Sequence, residues 1–163
     1  EGLGMSAKRI MVSTSGVPKM IKKLADDDVK FKLAVSLHSA IDEIRSRIMP
    51  FSANFPLADL RQSLEYWYRK TKSKISYEYV VWKDINDNKE SIDALVKFCK
   101  YVPCKVNLIE YNPIDDGEFQ QASEESINAY IKALEASGIV VKVRRSRGKD
   151  IDAACGQLAN KEA

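Results

Sequence analysis

The sequence predicts an α/β fold, an open, partial (β/α) barrel of about five parallel strands with flanking helices. Three observations point there. Short runs rich in Val, Ile and Tyr alternate with segments of helical period, the pattern of βα units. Each run ends in polar or turn-prone residues, and the runs are too few to close an eight-stranded barrel. The 163 residues are 45% hydrophobic and 30% charged, the composition of a globular domain with a single core.

The elements follow in order. Arg9–Ser13 is the first expected strand. Pro18 suits the first turn of a helix reaching about Asp26, where its missing N–H is no loss, and Val17, Ile21, Leu24 and Ala25 form the apolar stripe. Lys32–Leu37 is the second strand, followed by a short helix over about Ile41–Ile48. Pro56 opens a longer helix in which Leu57, Leu60, Leu64 and Trp67 recur at helical spacing. Lys74–Val81 is the third strand, and Ile92, Leu95, Val96 and Cys99 mark the next helix. After the fourth strand, Lys105–Ile109, the stripe Ile127, Tyr130, Ile131 and Leu134 gives the last helix, N-capped by Ser123 and ended by Gly138. Ile139–Arg145 is the fifth strand.

Right-handed crossovers gather the segments that follow each strand onto one rim of the sheet. That rim is expected to hold Ser13-Thr14-Ser15, Ser36-Leu37-His38, Trp82-Lys83-Asp84 and Tyr111-Asn112. An open barrel also leaves an exposed edge.

Several classes are excluded. Apolar runs such as Ile139-Val140-Val141 are far shorter than the roughly 20 residues that cross a bilayer. The N-terminus, Glu1-Gly2-Leu3-Gly4, has neither the pattern of a signal peptide nor an initiator methionine, so the chain is expected to be cut from something longer. Cys99, Cys104 and Cys155 show no metal-ligand spacing and no secreted disulfide framework, which makes a reducing cytoplasm the default location. The net charge of +3 is modest, but Lys142, Arg144, Arg145, Arg147 and Lys149 place five cations within eight residues.

Few residues offer chemistry. Cys155 lies among small residues, Ala153, Ala154 and Gly156, next to the basic run; a positive field favours thiolate, whereas Asp150 and Asp152 oppose it. A buried structural cysteine is the competing reading, and it also covers Cys99 and Cys104. His38 is the only histidine, which rules out schemes needing two imidazoles and leaves either a packed, hydrogen-bonded ring or a ligand contact. Ser13-Thr14-Ser15-Gly16 runs from a strand into a helix, where hydroxyls and free N–H groups hold anions or simply cap the helix. The cations from Lys142 to Lys149 either track a phosphate backbone or solubilise an edge strand.

The order of these segments is more specific than any one of them. Val12-Ser13-Thr14-Ser15-Gly16, Ala34-Val35-Ser36-Leu37-His38, Tyr77-Glu78-Tyr79-Val80, Asn107-Leu108-Ile109 with Tyr111-Asn112-Pro113, and Arg144 to Gly148 run in register with the RlmN/Cfr family of radical-SAM RNA adenine methyltransferases. The final block, Asp150-Ile151-Asp152-Ala153-Ala154-Cys155-Gly156-Gln157-Leu158, completes the resemblance and is its most specific part.

The resemblance implies that residues 1–163 are the C-terminal part of a radical-SAM partial barrel plus a methyl-carrier cysteine segment. The N-terminal RNA-binding region and the strands that carry the CxxxCxxC cluster loop are absent from it. It further implies S-adenosylmethionine as cofactor, bound by Ser13, by Ser36, Leu37 and His38, and by Asn112, with a [4Fe–4S] cluster whose ligands lie outside this chain. Cys155 corresponds to the cysteine that is methylated and then, after hydrogen abstraction, adds its carbon to adenine, with a second cysteine resolving the adduct. The expected substrates are 23S rRNA and tRNA, methylated at adenine C2, with an external electron donor and a monomeric, cytoplasmic, membrane-free enzyme. The alternatives are adenine C8 as the target, another radical-SAM iron–sulfur enzyme sharing the barrel, and an RNA-binding module without chemistry. A fragment of this extent is expected to be inactive alone.

Overall fold

The computed structural model describes residues 11–27, 31–112 and 120–147. In chain order these form β1 (Met11–Thr14), α1 (Pro18–Asp26), β2 (Lys32–Ser36), α2 (Asp42–Ile48), a 3-10 turn (Pro50–Asn54), α3 (Leu57–Thr71), β3 (Ile75–Val81), α4 (Lys89–Cys99), β4 (Cys104–Asn112), α5 (Glu124–Ala136) and β5 (Val140–Arg147). All neighbouring strands are parallel and lie in the order β1-β2-β3-β4-β5. Each right-handed crossover therefore adds its strand on the same side and leaves its helix on the same face. A doubly wound sheet would reverse direction and cover both faces; this one is barrel-like and open.

Period-2 alternation sorts the side chains. Leu33 and Val35 of β2, Ile75, Tyr77, Tyr79 and Val81 of β3, and Val106 and Leu108 of β4 form the main core with α1, α3, α4 and α5. Its largest fully buried side chains include Trp67, Tyr77, Tyr79 and Tyr130. The alternate residues face away from the helices and are mostly polar: one row of register partners reads Ser36, Glu78, Asn107 and Lys142. Among the described residues the top of this second face is closed by Ile48, Met49 and Phe51, which cover Val80, Trp82, Ile85 and Ile109.

Helix ends follow local chemistry. Ser123 accepts a hydrogen bond from the Ser126 amide at 3.1 Å as N-cap of α5, and Asn88 does the same for α4 with the Ser91 amide at 2.8 Å. Gly138, past the end of α5, has a φ of 77°. Pro56 is the N-cap of α3 rather than its first residue.

Two strand ends lie two or more residues beyond expectation, the other described strand ends agreeing within one residue. Strand β4 continues beyond Ile109 to Asn112, and β5 beyond Arg145 to Arg147, because the register pairs Lys105↔Val140 through Asn112↔Arg147 without a break. Tyr111-Asn112 is thus a strand end, not the loop after it. Charged residues such as Glu110 and Arg144 did not stop either strand, since on this sheet the backbone ladder is satisfied whatever the side chain. Arg9 and Ile10 of the first expected strand lie outside the described residues.

Candidate functional site

The strands' C-terminal ends build one rim. On β1, the Thr14 hydroxyl accepts from the Gly16 amide at 3.1 Å, turning the chain toward α1. On β2, the Leu37 amide still bonds Glu78 O at 3.0 Å, and the Ser39 amide then donates to Leu37 O at 2.7 Å. The residue inside this tight turn is His38, at a φ of 58°, a left-handed conformation that costs a non-glycine residue on the order of 1 kcal/mol or more.

What holds that conformation is a set of buried hydrogen bonds. The Val80 amide donates to His38 Nδ1 at 3.0 Å, so the imidazole takes the place of a carbonyl where β2 no longer pairs with β3. Asn86 Nδ2 donates to both His38 O and Val80 O at 2.8 Å, while Asn86 Oδ1 accepts from the Trp82 amide at 2.7 Å. The Tyr130 hydroxyl donates to Asn86 O at 2.5 Å and also meets the Tyr79 hydroxyl at 2.8 Å. The network ties the β2 turn, the end of β3 and α5 together.

The ring electrostatics follow from this packing. His38 is 5% exposed, stands edge-on to Trp82, and its Nδ1 is an acceptor, so the neutral ring carries its proton on Nε2. Burial, and then the Arg45 charge, lower its pKa from 6.5 to about 3. The unfolded chain consequently takes up a proton first as pH falls, so stability is full above about 6.5 and is lost toward about 3. With no other histidine in the chain, the loss from pH 6.5 to 5 should reach about 2 kcal/mol, read as a shift of the urea midpoint. His38→Asn, which keeps an acceptor for the Val80 amide, should flatten that limb. A midpoint constant over this interval would show that the ring is not held neutral.

Arg45, on α2, is 1% exposed and reaches the same rim. Its Nε donates to Leu37 O at 3.1 Å, and its Nη2 to Ser15 O at 2.9 Å and Ser36 O at 3.2 Å. Burial lowers its pKa to about 10, against the opposing effect of Asp42, so it remains a cation at neutral pH.

The residues singled out from sequence fall as follows. Ser13 is exposed on β1, Ser36 half-buried at the end of β2, and Leu37 and His38 are buried in the turn. Asn112 is the last residue of β4 on the same rim. The Ser13 and Ser36 hydroxyls and the His38 amide make no hydrogen bond among the described residues, which leaves donors suited to a ligand's carboxylate or hydroxyl oxygens. Lys142 and Arg144 are exposed on β5, and Arg144 Nη2 reaches Glu78 Oε1 at 3.4 Å, with Asn107 Nδ2 on Glu78 Oε2 at 2.5 Å. Arg145 and Arg147 stand opposite Glu110 and Asn112 in register. Cys155 and Lys149 lie outside the described residues.

Cys99 and Cys104 sit at the other end of the sheet, buried, with the Cys104 thiol donating to Cys99 O at 3.4 Å. A hydrogen bond with Cys104, and burial, push the Cys99 thiol far up, toward an inert form. Among the described residues no three His, Cys, Asp or Glu side chains converge to hold a metal ion. They do not fit an iron–sulfur cluster, whereas the rim's free hydroxyl and amide donors do fit the amino-acid and ribose oxygens of S-adenosylmethionine.

Sequence reasoning missed Arg45, Asn86 and Tyr130 as parts of this rim. Arg45 lay in a short amphipathic stretch, and Asn86 in a polar loop, Asp84 to Asn88, where any Asn suits a turn. The one available signal was Gly16, whose missing side chain makes room for the Arg45 guanidinium.

No family model matches the chain. A probable dual-specificity RNA methyltransferase RlmN of Flavobacterium johnsoniae is 86% identical over 163 residues, all of this chain and 47% of that protein. The corresponding protein of Cytophaga hutchinsonii is 48% identical over 162 residues, 99% of this chain and 44% of the other. The chain thus spans about half the length of the curated relatives it matches. Among solved structures, a radical SAM methyltransferase from Sphaerobacter thermophilus superposes with a TM-score of 0.81 at 38% identity over 93% of this chain and 44% of that one. A domain of a pyruvate-formate lyase-activating enzyme from Bacteroides vulgatus, at a TM-score of 0.62 and 14% identity over 82% of this chain and 80% of that one, shares the fold alone. The open parallel sheet is accordingly a partial barrel of the radical-SAM type, and with 86% identity along its whole length this chain belongs to the RlmN family of RNA methyltransferases.

Proposed function

We propose that residues 1–163 are the C-terminal portion of a radical-SAM enzyme that methylates C2 of adenine in 23S rRNA and in tRNA, with Cys155 as the methyl carrier. The observation that carries this reading is the 86% identity to an RlmN protein over all 163 residues, a span that includes the Asp150 to Leu158 block with Cys155. No helix among the described residues is long and apolar enough to cross a membrane. In this reading the enzyme is cytoplasmic and monomeric and takes its electrons from an external donor.

S-adenosylmethionine, bound beside a reduced [4Fe–4S] cluster held outside this chain, supplies both the methyl group and the radical chemistry. This chain's part is to bind and orient. Ser13 and the Ser36-Leu37-His38 turn offer hydroxyl and amide donors, and Asn112 completes the contact from two strands away. The neutral His38 ring holds the turn's shape and does not exchange protons near neutral pH. Lys142 and Arg144, with Arg145, Arg147 and Lys149, would meet RNA phosphates, an attraction that weakens as salt rises.

Nuclease digestion and mass spectrometry of RNA from cells that express the full-length enzyme as their sole adenine methyltransferase of this kind should show 2-methyladenosine in both RNA classes. Finding 8-methyladenosine instead would overturn the C2 assignment, and finding neither would overturn the methyltransferase reading.

A further inference from the structure

We infer that Arg45 is a positioning residue that locks the β1 and β2 strand-end turns to each other, so that the contacts proposed for Ser13 and for Ser36 to His38 depend on its guanidinium; this rests on the reading of the rim as a cofactor site. Arg45 is 1% exposed and makes no ion pair among the described residues. Taking a cation out of water is costly unless its donors are met. Here Nε and Nη2 meet main-chain carbonyls from two different strand ends: Ser15 O after β1, at 2.9 Å, Ser36 O at the end of β2, at 3.2 Å, and Leu37 O after it, at 3.1 Å. Nη1 is buried without a partner among the described residues.

One planar fork therefore fastens the two turns to each other just beyond Thr14 and Val35, the last residues that β1 and β2 pair in register. Lysine, a single point charge on a flexible stem, cannot span the three carbonyls in the same way. Gly16 supports the inference from the opposite side. A Cβ at that position would lie 2.7 Å from Arg45 Nη2, and the glycine's φ is 96°, so the residue leaves both the conformation and the room that the fork needs. The left-handed His38 turn adds a further observation: its Leu37 and His38 carbonyls are held by Arg45 and Asn86, the over-determination that keeps a strained backbone in place.

Arg45→Lys and Gly16→Ala in the full-length protein test this. Calorimetric titration with S-adenosylhomocysteine, hydrogen exchange at residues 13–16 and 36–39, and the thermal midpoint are measured together. The expected result is faster exchange in both segments at once and a Kd weakened about tenfold to a hundredfold in each variant, as for a misplaced binding group. Unchanged exchange in the two segments overturns the inference, as does a lowered thermal midpoint with Kd within about twofold of wild type. Should Arg45→Lys fail to fold, Gly16→Ala carries the same comparison, since it displaces Nη2 without removing it. A wild-type protein that does not bind the probe would remove the cofactor reading instead, and the exchange data would then decide the role of Arg45 alone.

Discussion

Cys155→Ala in the full-length enzyme is expected to abolish methylation of RNA adenine while leaving S-adenosylmethionine binding unchanged. Adenine C2 lies between two ring nitrogens and is too poor a nucleophile to take a methyl group by direct displacement from a sulfonium. A carrier sulfur avoids that limit, and alanine has none. The thiol must also be reachable by a base drawn out of its stack, which suits a cysteine among Ala153, Ala154 and Gly156 better than one in a packed core. Incorporation of labelled methyl into RNA, with the thermal midpoint measured alongside, distinguishes the roles. A structural cysteine predicts a lowered midpoint and persisting turnover, and turnover at the wild-type rate would end the carrier assignment. Cys99 and Cys104 are buried at the end of the sheet away from the rim that holds Ser36 and His38, and their replacement is expected to leave turnover in place.

Asn86→Ala is expected to cost most among substitutions at the rim's support. It would leave His38 O, Val80 O and the Trp82 amide without their side-chain partner in a site where Asn86 is fully buried. At about 1–3 kcal/mol for each of the two buried carbonyls, His38 O and Val80 O, the loss is on the order of 2–6 kcal/mol, a large share of a typical domain's stability. Asn86→Asp should be no better, because it keeps the acceptor for Trp82 but aims a carboxylate at two carbonyls. Urea unfolding of both variants checks this. A change below about 1 kcal/mol would mean that water takes over the three bonds.

Much of the fold was legible in the chain. The stripes at Ile21 and Ala25, at Leu60, Leu64 and Trp67, and at Tyr130 and Leu134 became the helix faces of the core, because a 3.6-residue period leaves little freedom about which side is buried. Ser123 and Gly138 marked the ends of α5 through local hydrogen bonding and a positive φ. Strand ends were less legible: β4 and β5 ran on to Asn112 and Arg147 because each supplies the other's backbone partners, a pairing between residues some 35 apart in sequence.

The candidate site divides along the same line. Cys155 and its small neighbours, the basic run and the serine-bearing strand ends are local patterns, readable wherever they stand because their chemistry resides in the residues themselves. The placement of Ser13, Ser36 and Asn112 on one rim needed only the βα order and the hand of the crossovers. The state of His38, the three carbonyls on Arg45 and the bonds of Asn86 came from folding alone. Each depends on contacts between residues 4 to 48 apart in sequence, where burial lowers the histidine's pKa to about 3 and turns the Arg45 guanidinium onto backbone carbonyls. Pattern identifies groups that act through their own chemistry, whereas a group that acts by holding others is identified by what it touches.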